Sequence, residues 1–145
     1  MSDILPASNG AEIVEVVRRH HREYINGSDG FLQYLAFPLL VRRRGVSRSY
    51  LSSESYAGDA KAHRQSVVSG TGLTKAGFRT EAVVSLGFDL ACVRFHSLRL
   101  NNSGAVLSAH AANFIVTRCD NRWRISAIFA DDNPLDASTQ VVELG

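Results

Sequence analysis

The sequence predicts an α+β domain, in which helices gather on one side of a strongly curved antiparallel or mixed sheet. Three stretches of alternating apolar and polar residues, at 91–100, 106–118 and 123–129, are typical of strands. The clusters Asn101–Gly104 and Asp120–Arg122 separate them and indicate hairpin turns. The first half of the chain has apolar residues at helical spacing, and the helices that this spacing predicts would cover one face of the sheet. We therefore expect a helix-backed cone with an internal pocket.

The first half of the chain predicts three helices and a strand pair, in the order helix, helix, strand pair, helix. Apolar residues recur at helical spacing from Ile13 to Ile25, and Asn26–Gly27 supplies a stop. A shorter helix is predicted over 31–36, ended by Pro38, and strands over 39–44 and 46–51 follow. Ser52–Ser55 is typical of a helix start and predicts a third helix over 56–68. A further strand over 78–86 leads into the three described above.

Length and composition indicate one domain of 145 residues, with the core at 11–132 and tails at 1–10 and 133–145. A net charge of +2 is too small to favour nucleic acid, and no apolar run approaches the ~20 residues that cross a membrane. The N-terminal residues lack the pattern of a secretory signal, so we expect a cytoplasmic protein. Cys92 and Cys119 are predicted to be bystander thiols. No cofactor is expected, and no metal site, because no Cys or His pair has ligand spacing.

Three phrases of the sequence resemble one family: Tyr24–Asp29 at the end of the first helix, Phe37–Val41, and Thr117–Ile125 at the last turn. Together with the order of elements, they are similar to the nuclear-transport-factor-2-like superfamily over about residues 11–132. That superfamily includes ketosteroid isomerase, SnoaL-type polyketide cyclases, scytalone dehydratase and limonene epoxide hydrolase. The resemblance implies a cystatin-like cone, a bent sheet wrapped around about three helices, and a homodimer formed through the convex face. The fold alone does not specify a function.

The family's strand phase predicts which side chains face the interior of the cone, because side chains alternate along a strand. The inward set on the last three strands comprises Ala91, Val93, Phe95, His110, Ala112, Phe114, Val116, Trp123, Ile125, Ala127, Phe129 and Asp131. The opposite phase places Arg94, His96, Asn113 and Ile128 on the convex face, where we expect the dimer contact.

Ketosteroid isomerase needs a carboxylate base, and a tyrosine with a protonated acid as oxyanion donors. The resemblance aligns those positions with Arg43 or its neighbour, with His21 and with Phe114. All three residue types differ, so that mechanism is disfavoured. Scytalone dehydratase uses histidines, an aspartate and tyrosines in its pocket. A loosely similar site remains an alternative here, because the chain has five histidines and four tyrosines.

The candidate catalytic residues are His21, His110 and Asp131, a set suited to acid–base chemistry in an apolar cone. For each of them a purely structural role stays open. His21 is then a packed helix residue, and His110 and Asp131 are solvated residues at strand ends. The run Arg42–Arg44 is interpreted as a solvated strand or loop. Candidate ligand-binding residues are Tyr24, Phe95, Phe114, Trp123, Ile125 and Phe129.

Three function classes follow from these expectations. The first is an isomerase-, cyclase- or dehydratase-like enzyme that acts on a small, largely apolar molecule. The second is a protein that binds such a molecule without turnover. The third is a dimeric association module whose convex face matters more than its cavity.

Overall fold

The computed structural model describes residues 7–71 and 75–130. In chain order the described elements are α1 (Ala7–Asn26), a 3-10 helix (Asp29–Tyr34), β1 (Leu35–Arg43), β2 (Val46–Tyr50), α2 (Ser53–Thr71), β3 (Lys75–Ser85), β4 (Leu90–Leu100), β5 (Val106–Cys119) and β6 (Arg122–Ala130). The predicted succession of helices and strands is therefore observed. Asp131, a predicted site residue, lies outside the described residues.

The six strands form one sheet in the order β2-β1-β6-β5-β4-β3. β1 and β6 run parallel, and every other neighbouring pair is antiparallel. The sheet is curved and not closed, and the helices cover one of its faces, which confirms the predicted α+β cone. Register shifts between Thr80 and Ala82 on β3, and around Ser126 on β6, mark bulges. Bulges increase local twist and so help the sheet to bend.

Tight turns set the strand register at three hairpins. Arg44 and Gly45 join β1 to β2 with φ values of 51° and 76°, and Asp120–Asn121 joins β5 to β6 with φ values of 52° and 61°. Positive φ at both central residues gives a turn whose twist matches that of the flanking strands. Between β4 and β5, the Asn101 side-chain oxygen accepts hydrogen bonds from the backbone N–H groups of Ser103 and Ala105, both at 2.9 Å.

The core lies between the helices and the face of the sheet that they cover, which we call the inner face. α1 contributes Ile13 and Val17, both fully buried, at the spacing of one helical turn. The start of α2 is fixed by two serines, because Ser55 N donates to Ser52 Oγ and Ser52 N donates to Ser55 Oγ, each at 3.2 Å. This reciprocal arrangement satisfies backbone donors as a capping box does, and the predicted helix start is observed.

The segment around Pro38 corrects one expectation. The predicted helix over 31–36 is a 3-10 helix that ends at Tyr34, and Leu35 already belongs to β1. Pro38 lies inside β1 after a cis peptide bond, where the pairing with β6 shifts between Leu35 and Leu40. A proline has no N–H to donate, so a register shift is a position where a strand tolerates it.

The bulge at Ser126 corrects the predicted strand phase of β6. Ile125 pairs with Val116 and Ala127 with Ile115, so Ser126 is the extra residue and the alternation reverses beyond it. Trp123 and Ile125 are buried on the inner face as predicted.

The reversed alternation exchanges the predicted positions of Ile128 and Phe129. Ile128 was expected on the convex face, yet it is only 2% exposed and packs in the core. Phe129 pairs with Asn113 and Arg42, so it lies on the convex, outer face, and its predicted inward orientation is wrong.

Candidate functional site

A cavity of ≈330 Å³ opens on the inner face of the sheet, between the β1–β2 hairpin and α2. Its walls combine valine and alanine side chains with arginines, tyrosines, a histidine and an aspartate. Small-molecule sites usually measure about 300–1,000 Å³, so this cavity suits a small ligand. Arg43, Val46, Tyr56, Asp59, Ala60 and His63 are among the residues that line it.

Arg43 reaches the cavity because alternate residues of β1 face the helices. Leu39 and Val41 precede it on the same face and are buried, and Arg43 itself is half-buried. Arg42 faces the other side, where its Nη1 donates a hydrogen bond to Ser47 Oγ at 2.9 Å. The interpretation of this arginine run as a solvated strand therefore fits Arg42 but not Arg43.

Arg43, His63 and Tyr24 form a chain of polar contacts. Arg43 Nη1 lies 2.7 Å from Nε2 and 2.8 Å from Nδ1 of His63, and the Tyr24 hydroxyl lies 2.5 Å from His63 Nδ1. The same hydroxyl donates to the carbonyl oxygen of Ala60 at 3.2 Å. Because the Tyr24 hydroxyl donates to Ala60, it can accept a hydrogen bond from His63 Nδ1–H. Arg43 Nη1 lies almost equally far from both ring nitrogens, so it contacts the imidazole without being aligned on one of them.

Tyr56 also lines the cavity, but its hydroxyl oxygen is buried. The residue is 2% exposed, and its hydroxyl has no hydrogen-bond partner among the described residues. The Arg43 guanidinium lies close to this hydroxyl, and both its charge and its N–H groups act to lower the Tyr56 pKa, although the two groups do not meet the distance and angle criteria of a hydrogen bond. Burial raises the pKa of Tyr56 and, more strongly, that of Tyr24, and the Arg43 charge partly opposes both shifts. Both hydroxyls therefore stay protonated and can donate.

Asp59 lies at the exposed rim of the cavity. Its carboxylate accepts a hydrogen bond from the Tyr50 hydroxyl at 2.7 Å and from Arg48 Nη1 at 3.4 Å. Burial raises the pKa of Tyr50, and the hydrogen bond to Asp59 raises it further. Asp59 is thus already hydrogen-bonded to Tyr50 and paired with Arg48. The ion pair with Arg48 is exposed, and such a pair adds little stability.

The predicted catalytic histidines lie near Ser97, at a different part of the inner face. His21 Nε2 lies 2.8 Å from Ser97 Oγ, and His110 is the cross-strand neighbour of Ser97 in the β4–β5 pair. Burial, followed by the Arg99 charge, lowers the pKa of His21 to about 4. Among the described residues that line the cavity, neither His21 nor His110 occurs. The structure therefore brings the two histidines to one patch but places this patch away from the cavity.

Four of the predicted ligand-binding residues, Phe95, Phe114, Trp123 and Ile125, belong to the core. The rings of Phe95 and Phe114 meet edge to face with centroids 4.8 Å apart, and Trp123 and Ile125 are buried beside them. Within the described part of the chain, none of these four belongs to the cavity lining. Tyr24, by contrast, contacts the cavity residue His63 directly.

His20 is a buried titratable residue that sequence reasoning did not single out. It is 4% exposed, and neither ring nitrogen has a hydrogen-bond partner among the described residues. Its ring stacks on Tyr24 and meets the edges of Phe31 and Phe114, with centroids 5.4–6.0 Å apart. Burial, with smaller effects of the neighbouring His21 and Arg43 charges, lowers its pKa to about 3. His20 is therefore neutral at physiological pH.

Sequence reasoning missed Arg43, Tyr56 and His63 as members of a common site. The alternation of Leu39, Val41 and Arg43 could have indicated that Arg43 faces inward. The spacing of Tyr56, Ala60 and His63 places all three on one face of α2. Across residues 7–71 and 75–130, no group of three or more His, Cys, Asp or Glu side chains is placed to hold a metal ion. Neither described α-helix is long and apolar enough to cross a membrane.

The sequence matches the profile of a family described as NTF2-like protein (DUF6841) over residues 11–133. The fold and this match define an NTF2-like domain, and the chain belongs to this family. The predicted resemblance is thereby confirmed. No curated protein matches the chain.

Solved structures with the same fold are distant in sequence. An NTF-2 like protein of unknown function from Shewanella oneidensis is 15% identical, with a TM-score of 0.64, and the match covers 86% of this chain and 99% of that one. A domain of unknown function with a cystatin-like fold from Nostoc punctiforme is 15% identical, with a TM-score of 0.70 and coverage of 90% and 81%. A ketosteroid isomerase-like protein from Erwinia carotovora atroseptica is 13% identical, with a TM-score of 0.57 and coverage of 83% and 92%. Such identities show the fold alone.

Proposed function

We propose that this protein binds a small organic molecule in the cavity between the β1–β2 hairpin and α2. The observation that carries the proposal is the cavity itself, which measures ≈330 Å³ and is lined by the half-buried side chains of Arg43 and His63 together with apolar groups. The valine and alanine walls add an apolar surface for the body of the ligand.

The polar groups at the cavity favour binding over chemistry. Acid–base catalysis needs a group that is free to exchange a proton with the ligand. His63 contacts Arg43 and Tyr24 through its ring nitrogens, and Asp59 accepts a hydrogen bond from Tyr50. Binding without turnover, the second of the function classes, is therefore the better account of this cavity.

A cavity-filling substitution tests the proposal. Val46 lines the cavity on the edge strand β2 and is 55% exposed, so Val46→Trp should fill the space without disturbing the core. Val84, on the opposite edge strand β3, is 51% exposed and provides the matched control Val84→Trp. A fragment set of small aromatic and aliphatic molecules would be screened against the ¹⁵N-labelled protein by NMR.

We expect some fragments to shift the amide signals of Val41, Ala60 and His63 in the wild type and in Val84→Trp, but not in Val46→Trp. Binding that is the same in both tryptophan variants would locate the ligand elsewhere. A screen in which no fragment shifts the cavity signals would remove the proposal.

A further inference from the structure

We propose that the free edge of β3 binds an extended segment of another protein, which adds one strand to the sheet beside residues 82–86. β3 and β2 are the two opposite edges of the described sheet, and the cavity lies at β2, so this surface is separate from the cavity. The inference follows from the backbone groups on the β3 edge, from the apolar side chains next to them, and from the short length of the regular edge.

The backbone of β3 directs hydrogen-bonding groups to its free side at alternate residues. Leu86 N donates to Leu90 O at the start of β4, at 2.8 Å, and the register with β4 is regular over residues 82–85. Along an antiparallel pair only every second residue bonds to the same neighbour, so the N–H and C=O groups of Val83 and Ser85 point away from β4. In the described sheet, β4 is the one strand that pairs with β3. Val83 and Ser85 can therefore bond to an added strand.

Apolar side chains lie on the outer side of this edge. Ala82, Val84 and Leu86 alternate along the chain, so they share one side of the strand, the outer one. All three are exposed, Val84 by 51% and Leu86 by 52%, and Phe88 in the following loop is 82% exposed. Clustered exposed apolar groups beside an open strand edge are typical of an interaction surface. A partner strand with an aliphatic residue at every second position would cover them.

The short length of the regular edge indicates the kind of partner. A register shift between Thr80 and Ala82 and the loop after Leu86 limit it to residues 82–86. Bulges near a strand edge hinder the pairing of two folded copies, because they twist the edge away. Stable interfaces between folded chains involve about 20–30 residues a side, far more than this edge provides. An extended segment fits it better, because such a segment binds through main-chain hydrogen bonds and a few side chains.

Charged residues at the two ends of the edge favour one direction for this segment. Arg79 precedes the apolar residues and Asp89 follows them, and both side chains are exposed. Arg79 Nη2 also lies 3.2 Å from His96 Nδ1 on the neighbouring strand. An antiparallel segment with a basic N-terminal end and an acidic C-terminal end brings each of its charges next to the opposite charge. We therefore infer a segment with aliphatic residues at alternate positions between a base and an acid.

The probe is a synthetic peptide of the sequence Lys-Val-Thr-Val-Thr-Val-Glu, blocked at both termini. One control peptide has proline in place of the central valine, and another has the lysine and the glutamate exchanged. NMR of the ¹⁵N-labelled protein measures amide hydrogen exchange residue by residue. Strand addition gives Val83 N–H and Ser85 N–H new acceptors, whereas Val84 N–H and Leu86 N–H already bond to β4.

We expect the peptide to bind with a dissociation constant of about 0.1–1 mM, as suits a short contact. At a peptide concentration about four times this constant, exchange at Val83 and Ser85 should slow about fivefold, with a much smaller change at Val84 and Leu86. Val84→Lys should weaken binding about tenfold, because it removes the central apolar side chain. The matched control Leu51→Lys, at an 81% exposed residue after β2, should bind as the wild type does.

Three results would overturn the inference: unchanged exchange at Val83 and Ser85, equal protection by the proline peptide, or undiminished binding by Val84→Lys. If concentrated protein protects the same amides without peptide, a second copy of the chain occupies the edge, and the choice of another protein is wrong. Equal binding of the peptide with exchanged ends would overturn the direction. The fragment screen of the cavity is read at other residues, so either proposal can fail alone.

Discussion

Replacement of His20 by leucine should make the protein more stable, and by a larger margin in acid. The imidazole is enclosed by Tyr24, Phe31 and Phe114, and its two nitrogens have no hydrogen-bond partner among the described residues. Leucine has a similar volume and leaves no polar atom unsatisfied. At pH 7 we expect His20→Leu to raise the free energy of unfolding by about 1 kcal/mol, the low end of the usual range, because the contacts with the aromatic rings partly compensate the imidazole.

The pH dependence follows from the pKa of His20, which is about 3 in the folded protein against an ordinary value of 6.5. Between these values the unfolded chain binds a proton that the folded protein excludes, so acid favours unfolding. This contribution is absent above pH 6.5 and grows as the pH falls towards 3. At pH 5 it amounts to about 2 kcal/mol, from 1.36 kcal/mol per unit of pKa difference over the 1.5 units below 6.5.

Urea denaturation at pH 7 and pH 5, followed by the emission of Trp123, measures the effect. Trp123 is the single tryptophan of the chain and is buried, so its emission reports unfolding. Carboxylates and His21 titrate in both proteins and largely cancel in the difference. We expect the advantage of His20→Leu to grow by about 2 kcal/mol from pH 7 to pH 5. A difference between variant and wild type that is the same at both pH values would refute the reasoning.

Three further predictions concern a turn, a buried hydrogen bond and the outer face. Gly27→Ala should lower the free energy of unfolding by about 1–2 kcal/mol in urea denaturation, because φ is +78° and the new Cβ would lie 2.7 Å from the Arg64 guanidinium. Ser97→Ala should lower it by about 1 kcal/mol, because half-buried His21 loses its 2.8 Å partner. Light scattering should show a twofold dimer at micromolar concentration, and Phe129→Asp on the outer face should dissociate it.

Each of these has a control or a contrary result. Gly58 lies within α2, and a Cβ added there would have no described atom within 4 Å, so Gly58→Ala should raise stability by about 0.5–1 kcal/mol. Equal effects at Gly27 and Gly58 would mean that neither the positive φ nor the close approach matters. An unchanged stability of Ser97→Ala would show that the His21 contact is not formed in solution. A monomeric wild type would contradict the dimer.

The fold could be predicted because turns and alternation are local signals. Asn101–Gly104 and Asp120–Arg122 separate the strands where the structure has its hairpins, and Ser52 and Ser55 form the expected cap at the start of α2. The bulge at Ser126 was not predictable in this way, since an extra residue in a strand has no distinctive composition and reverses every later side chain. Phe129 and Ile128 were exchanged for that reason alone.

The candidate site was harder to predict than the fold. His21 and His110 were predicted as catalytic residues because histidine titrates near neutral pH, and in the structure both lie next to Ser97. The cavity depends instead on where β1 and α2 meet, and no local pattern contains that information. Arg43 and His63 are twenty positions apart, and their contact became visible only in three dimensions.

The position of β6 between β1 and β5 has a consequence for the order in which the protein is assembled during synthesis. The β1–β2 hairpin emerges from the ribosome early, yet β6 is its sole link to the remaining strands of the described sheet. Until residues 122–130 have emerged, one wall of the cavity has no strand to dock on. The nascent chain therefore carries an unpaired strand edge through most of its translation, and the wall of the cavity can be completed only after β6 has been made.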